Sequence, residues 1–343
     1  MTTHLVTGGS GYFGSILVHL LHQSGLKVKV FDLNDLEDRP KDIEFIQGDI
    51  RDRELINSLC KNTNVIYHAV AQVPLAKDKN LFWSVNVEGA TNLFESALKN
   101  NVEKVIYISS SAVFGIPRKN PVDDSVLPSP MEFYGKAKYK AEQIAKTFVE
   151  KGADITIIRP RTILGHGRLG IFSILFNWVK NNINIPVLGN GNNKYQFIHA
   201  SDLANACLLA ANCRGSSTYN IGTDRFGTMR ELLEALIKHA GSTSRVISTP
   251  FILTTTLMKI TSALRLSPLG DYHSLMYGRE MYFDITKPVK ELNWIPKYSN
   301  SEMICESYDW FCSNYKKIYG KTENISIHKK PIEEGILSIL KWF

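Results

Sequence analysis

Apolar positions in the first half of the chain fall into short runs separated by longer amphipathic stretches. The runs are His4-Leu5-Val6, Lys27-Val28-Lys29-Val30-Phe31-Asp32, Ile43-Glu44-Phe45-Ile46, Val65-Ile66-Tyr67-His68-Ala69, Val105-Ile106-Tyr107-Ile108 and Ile155-Thr156-Ile157-Ile158. Each is short and rich in β-branched or aromatic residues, so each predicts a strand. Between them, residues 15–21, 52–60, 80–100 and 134–151 repeat their apolar positions at helical spacing. Strands separated by helices require crossover connections. The pattern therefore predicts an α/β fold, a doubly wound parallel sheet of Rossmann type. After Pro160 the rhythm loosens. Helices are expected near 170–181, 201–212 and 228–240, with a short strand at Tyr195-Gln196-Phe197-Ile198.

The turn after the first strand carries the first chemical signal. Thr7-Gly8-Gly9-Ser10-Gly11-Tyr12-Phe13-Gly14 joins that strand to the helix beginning at Ser15. Glycines at 8, 11 and 14 let the backbone turn sharply and approach a pyrophosphate, which the amides and positive dipole end of the helix then hold. The spacing has one residue more between the first two glycines than the common G-x-G-x-x-G fingerprint. The second strand ends in Asp32, about twenty residues on, where a carboxylate can accept from the adenosine ribose hydroxyls. A carboxylate there repels a 2′-phosphate, so NAD(H) is favoured over NADP(H). The competing readings are that Asp32 only opens a polar loop, or that Arg39 reaches a 2′-phosphate.

Composition narrows the class further. The chain has 343 residues, with 44% hydrophobic and 21% charged residues, as in ordinary soluble globular proteins. The longest apolar segments fall short of the ~18 residues of a membrane span. A strand at the very start leaves no signal peptide in view, and a cytoplasmic protein is expected. Cys60, Cys207, Cys213, Cys305 and Cys312 form no CxxC pair and no zinc spacing, so reduced thiols and no metal are expected. The net charge of +7 suits an anionic ligand, but no basic-aromatic pattern points to nucleic acid.

Tyr134 and Lys138 stand four apart at the start of a helical pattern and share one face. A phenol titrates near pH ~10 and is a poor base at neutrality. A neighbouring ammonium and a positive nicotinamide ring would favour the phenolate. Ser109-Ser110-Ser111 ends the fifth predicted strand, where the carboxyl edge of a doubly wound sheet faces its ligand. A serine there can polarise a substrate hydroxyl or carbonyl; it can equally serve only to cap the strand.

Together with Asp32, Gly48-Asp49-Ile50, His68-Ala69-Val70-Ala71, Asn86-Val87-Glu88-Gly89-Ala90-Thr91-Asn92 and Arg159-Pro160 through Gly165, these residues resemble the extended short-chain dehydrogenase/reductases. The branch is the NAD-dependent epimerase/dehydratase family, and the resemblance spans roughly residues 3–315. It implies an NAD-dependent enzyme with Ser110 as catalytic serine (Ser111 a close second), Tyr134 as acid/base and Lys138 on the nicotinamide ribose. It implies that Asp49 and Ile50 flank the adenine and that Ala69, Val70 and Ala71 line the cofactor. Gly8, Gly11, Tyr12, Phe13, Gly14, Asn86, Ser109, Pro160, Thr162 and Ile163 complete the implied cofactor set. The expected organisation is a NAD-binding domain at 1–165, with segments near 194–221 returning to it. A mainly substrate-binding lobe follows at 166–317, then a tail at 318–343.

The substrate is less sharply written. Residues 189–204 and Leu292-Asn293-Trp294-Ile295-Pro296 are similar to nucleotide-sugar epimerases, which implies a nucleotide sugar that is epimerised or reduced. Thr162 and Tyr195 depart from that pattern, where asparagine and arginine are usual. Arg161, Arg168 and Arg279 could clamp a phosphate instead, with Ser111 and Tyr195 completing the substrate set. Arg159 through Gly165 also resembles the 3β-hydroxysteroid dehydrogenase-like branch. The apolar residues 250–269 could then line a site for an apolar alcohol, or form a helix packed on the lobe. A non-catalytic NAD-sensing regulator is the reading of another class, though such proteins tend to lose the tyrosine or lysine. The apolar ending 335–343 could dock on protein or touch a membrane surface. The family implies a homodimer through residues 80–100 and 134–151.

Overall fold

The computed structural model describes residues 2–36, 39–72, 79–264 and 275–319, with 331, 332 and 335. Six parallel strands form where the apolar runs predict them: β1 (Thr3–Thr7), β2 (Lys27–Asp32), β3 (Glu44–Gln47), β4 (Val65–His68), β5 (Lys104–Ile108) and β6 (Ile155–Pro160). A seventh sheet strand was not foreseen. Thr218–Ile221 (β10) pairs with β6, giving the order β10-β6-β5-β4-β1-β2-β3, all parallel. Its four residues, Thr218-Tyr219-Asn220-Ile221, alternate polar and apolar over too short a span to stand out, and pairing to β6 makes them a strand. The order reverses between β1 and β4, and the crevice at that switch point is where ligands bind in this architecture.

Continuous apolar strands bury both sheet faces. Leu5, Ile66, Val105 and Tyr107 point to one side, where α2 (Arg53–Cys60), α4 (Ala90–Lys99) and α5 (Phe133–Glu150) cover them. Val6, Tyr67 and Ile106 point to the other, beneath α1 (Tyr12–Gln23) and α7 (Ala200–Ala211). The helix expected over 80–100 is interrupted. After α3 (Lys79–Trp83), residues Ser84–Gly89 form a π-helical segment that runs into α4. A Cβ at Gly89 would stand 2.6 Å from Ile50 Cγ2, so close packing against Ile50 accompanies the irregular turn.

A further core lies beyond β6. The strands β7 (Thr162–Leu164) and β9 (Phe197–His199) pair with each other, as do β8 (Ile185–Leu188) and β11 (Val246–Thr249). With α6 (Phe172–Lys180), α8 (Met229–His239) and the helix Asn300–Ser313 they enclose Phe176, Leu236, Met303 and Phe311. Capping boxes at Thr228/Glu231 and Ser299/Glu302 start two of these helices. The strand expected at 195–198 forms two residues later. The apolar stretch from 250 forms α9 (Phe251–Ala263), whose Ile252, Leu253, Leu257 and Ile260 are exposed. Its expected continuation through Leu266, Pro268 and Leu269 lies outside the described residues, as does most of the tail. Among the described residues, no helix is long and apolar enough to cross a membrane.

Asp202 fastens residues 294–298 to α7. Its buried carboxylate accepts from the Lys297 and Tyr298 amides at 2.9 and 3.2 Å, and its carbonyl accepts from Trp294 Nε1 at 3.0 Å. Asp202→Ala leaves both amides unpartnered, and a loss of about 2–4 kcal/mol in denaturant unfolding is expected. A loss below about 1 kcal/mol would show that Trp294 packing holds the segment without the carboxylate.

Candidate active site

The glycine turn closes on itself through backbone. Gly8 N donates to Phe31 O and Gly11 N to Gly8 O, at 2.8 and 3.0 Å. Gly8 has φ +77°, and a Cβ at Gly14 would stand 2.0 Å from the Gly8 carbonyl oxygen. Any side chain at 14 would thus push α1 away from β1. Gly11 caps α1 without a side chain, which leaves the first amides of the helix bare. These features fit an anion at the helix N-terminus. Asp32 holds the turn from the side: its carboxylate accepts from Ser10 N at 3.0 Å and Leu33 N at 2.7 Å. Burial raises its pKa against those amide bonds. Arg39 is engaged by Asp35 and by the carbonyls of Pro40 and Ile43.

At the carboxyl end of β5 each serine has a separate partner. Ser109 donates to Glu142 Oε1 at 2.6 Å. Ser110 caps the 3₁₀ turn Ser111–Phe114 by accepting from Ala112 N at 3.1 Å, and its hydroxyl favours the charged form of the Tyr134 phenol. Ser111 accepts from Arg161 Nη1 at 3.0 Å. Capping and ligand-facing roles therefore coexist in one tripeptide.

Glu132 caps α5 by accepting from the amides of Tyr134 and Gly135 at 2.7 and 2.6 Å, which fixes Tyr134 in the first turn. One turn on, buried Lys138 donates to Ile108 O at 2.8 Å. One turn further, fully buried Glu142 receives Arg159 in bidentate fashion, Nε at 2.9 and Nη2 at 2.5 Å. Glu142 was missed in the sequence, although its position four after Lys138 on the same face was a signal.

These elements surround a cavity of about 410 Å³. Gly8, Gly11, Tyr12, Phe13, Gly14, Ala69 and Ala71 line one end, and Ser109, Ser110, Ser111, Tyr134 and Lys138 the middle. Pro160, Arg161, Thr162, Ile163, Arg168 and Tyr195 line the rest. Six sequence candidates do not line it. Asp32 stands behind the glycine turn. Asp49 pairs with Arg51, and Ile50 packs on Gly89. Val70 touches Gly8 through backbone, a Cβ at Gly8 meeting its amide nitrogen at 2.7 Å. Asn86 is buried and binds the Gln72 backbone at both N and O, so it shapes the loop after β4. Arg279 lies over Phe251. The cavity also takes Gln72, Ile171, Phe172, Phe197, Met229 and Tyr277, none of which was a candidate site residue in the sequence. Among the described side chains of α9, none lines it.

The electrostatics differ from the sequence expectation. Burial pushes the Tyr134 phenol up to about 12, partly opposed by the Ser110 hydrogen bond and by Arg168. Lys138 is not the group that lowers it, because burial depresses Lys138 itself to about 7, with Glu142 opposing. Burial brings Arg168 down to about 10. The site therefore sets a protonated phenol beside a lysine poised near neutrality.

Known proteins resemble this chain in sequence and in fold. The model of the NAD dependent epimerase/dehydratase family matches residues 4–222. The uncharacterized protein y4nG of Sinorhizobium fredii is 50% identical over 341 residues, covering 99% of this chain and 86% of that protein. The putative UDP-glucose 4-epimerase of Methanocaldococcus jannaschii is 32% identical over 250 residues, covering 68% and 81%. The structure of UDP-glucose 4-epimerase from Thermotoga maritima with UDP-glucose shares the fold, with TM-score 0.76 at 23% identity over 92% and 100% of the two chains.

Lys138 sets a pH test. Its folded pKa of about 7 lies below the ordinary lysine value of 10.5. Between those values the unfolded chain binds more protons, so this group adds stability as pH rises through the window. Lys138→Met is expected to flatten that rise, read from unfolding midpoints at pH 7 and 9. An unchanged slope would refute the buried, depressed lysine.

Proposed function

The chain belongs to the NAD-dependent epimerase/dehydratase family, and from that premise we propose that it is an NAD(H)-dependent enzyme of nucleotide-sugar chemistry. It interconverts a secondary alcohol and its ketone, with epimerisation (or reduction) at that carbon as the net reaction. The observation that carries this reading is the convergence of Ser110, Tyr134 and Lys138 on a cleft opening from the glycine turn. The residues around the cleft, with 1–165 and the strand at 218–221 as nucleotide-binding frame, fit NAD. Gly8, Gly11 and the bare start of α1 would hold the diphosphate, Asp32 the adenosine ribose and Lys138 the nicotinamide ribose. Bound there, NAD supplies a hydride acceptor and, when reduced, a hydride donor.

The protein's own groups handle the proton and the orientation. Tyr134 Oη, protonated at rest, donates towards a ketone oxygen, and the Ser110 hydroxyl donates to the same oxygen. In the opposite direction the phenolate form, whose negative charge Arg168 favours, takes the alcohol proton and returns to neutral phenol. Asp32 opposes a 2′-phosphate, and the engaged Arg39 is not free to attract one. The apolar wall of Ile171, Phe172, Phe197 and Met229 supports a second reading, a 3β-hydroxysteroid dehydrogenase-like enzyme on an apolar alcohol. Exposed Trp83 and Phe133, in α3 and α5, support a homodimer through those helices.

Tyr134→Phe is expected to lower turnover by about 10²–10⁴-fold with NAD affinity nearly unchanged, checked by hydride transfer and by calorimetry. Undiminished turnover would overturn the acid/base role. No labelled-hydride exchange with any alcohol, ketone or nucleotide sugar would favour an NAD sensor. Asp32→Ala is expected to weaken NAD(H) by about tenfold and to narrow the preference over NADP(H). A wild-type preference for NADP(H) would contradict the assignment of Asp32.

A further inference from the structure

Two arginines stand two residues apart at the end of β6 and are treated differently by the fold. Arg159 turns one edge of its guanidinium, Nε and Nη2, onto both oxygens of Glu142. Arg161 is 1% exposed and donates only Nη1, to Ser111 Oγ. Its Nε and Nη2 have no partner among the described residues, and no described carboxylate pairs with it. Those two nitrogens form the same planar, two-pronged edge that Arg159 uses on an acid. Tyr195 and Phe283 stack on the guanidinium at 4.7 and 5.8 Å, which fixes its plane. A buried guanidinium with its fork unfilled is costly, and a carboxylate is the group whose geometry fills it.

We infer that the substrate carries a carboxylate beside its reacting carbon and that Arg161 receives it. This rests on the proposed reading of the cleft. The position of the fork selects among anions. Arg161 is tied to Ser111, the neighbour of Ser110, and lines the same cavity as Ser110 and Tyr134, with its unpartnered edge buried. A nucleotide diphosphate is separated from the reacting ring carbon by the sugar itself and fits that place less well. Arg168, whose Nε is also unpartnered, lines the same cavity over the Tyr12 ring and adds positive charge near the phenol.

Calorimetric titration of the NAD-loaded protein with matched acid and neutral probes tests this. The pairs are UDP-glucuronate against UDP-glucose, and 3-hydroxybutyrate against 2-butanol. In at least one pair the acid is expected to bind about tenfold or more tightly. Arg161→Gln is expected to erase that preference, and Arg161→Lys, which keeps charge without the fork, to restore only part of it. Unchanged NAD affinity and unfolding midpoint establish that a variant is folded. If Arg161→Gln fails to fold, the wild-type preference and Arg161→Lys decide. The inference is overturned by the absence of acid preference in both pairs, by a preference that persists in Arg161→Gln, or by equal loss of UDP-glucose and UDP-glucuronate in that variant, which would place Arg161 on the diphosphate. Hydride transfer on neutral alcohols without acid preference sinks this inference alone. Arg161-dependent acid binding without any hydride transfer sinks the proposed reaction instead.

Discussion

The start of α5 is pressed against the carboxyl edge of the sheet, and the active constellation depends on that contact. A Cβ at Gly135 would stand 2.5 Å from the Ala112 carbonyl oxygen, so helix and 3₁₀ turn meet backbone to backbone. Buried polar bonds hold the approach: Lys138 to Ile108 O, and Glu142 to Ser109 and Arg159. In a low-dielectric interior such bonds are strong when complete and costly when broken. They leave little freedom for the first turn of α5. The Tyr134 phenol is thereby held in the cavity beside Ser110 rather than in solvent, as the proposed acid/base role requires.

The cleft is asymmetric in charge. Lys138, Arg161 and Arg168 all line it, while the carboxylates of Glu142 and Asp32 are occupied behind its wall. Unsatisfied buried groups collect here too, among them Tyr12 Oη and nitrogens of both arginines. A fold optimised for stability alone would pair or remove them, so their clustering around one cavity marks the place where local rules yield to ligand chemistry. Burial explains the direction of each shift. It disfavours charge on the phenol and on the lysine alike, so the site rests as phenol and an amine that titrates near neutrality.

The central sheet was legible because its strands are buried on both faces. Double burial writes an apolar run into the sequence that needs no partner to be read, as in Val65–His68 or Ile155–Pro160. β10 was not legible, because its strand character comes from pairing with β6. The same distinction runs through the site. Gly8, Gly14, Tyr134 and Lys138 announce themselves by spacing within one turn of local structure. The three serines were visible as a run, but their separate partners, Glu142, Tyr134 and Arg161, lie 33, 24 and 50 positions away. Tyr277 and Met229 reach the cavity only through packing of segments distant in the chain.

By itself the sequence determined the alternation of strand and helix, the glycine turn that lets α1 approach β1, and a tyrosine and lysine on one helical face. These depend on periodicity, sterics and the conformational range of glycine, all of which act over a few residues. Only the tertiary structure decided which groups are charged and which are free. Burial of Lys138, the filling of Arg159 by Glu142 and the open fork of Arg161 follow from distances between segments and from the exclusion of water. Neither quantity is local to the chain, so no stretch of sequence carries it.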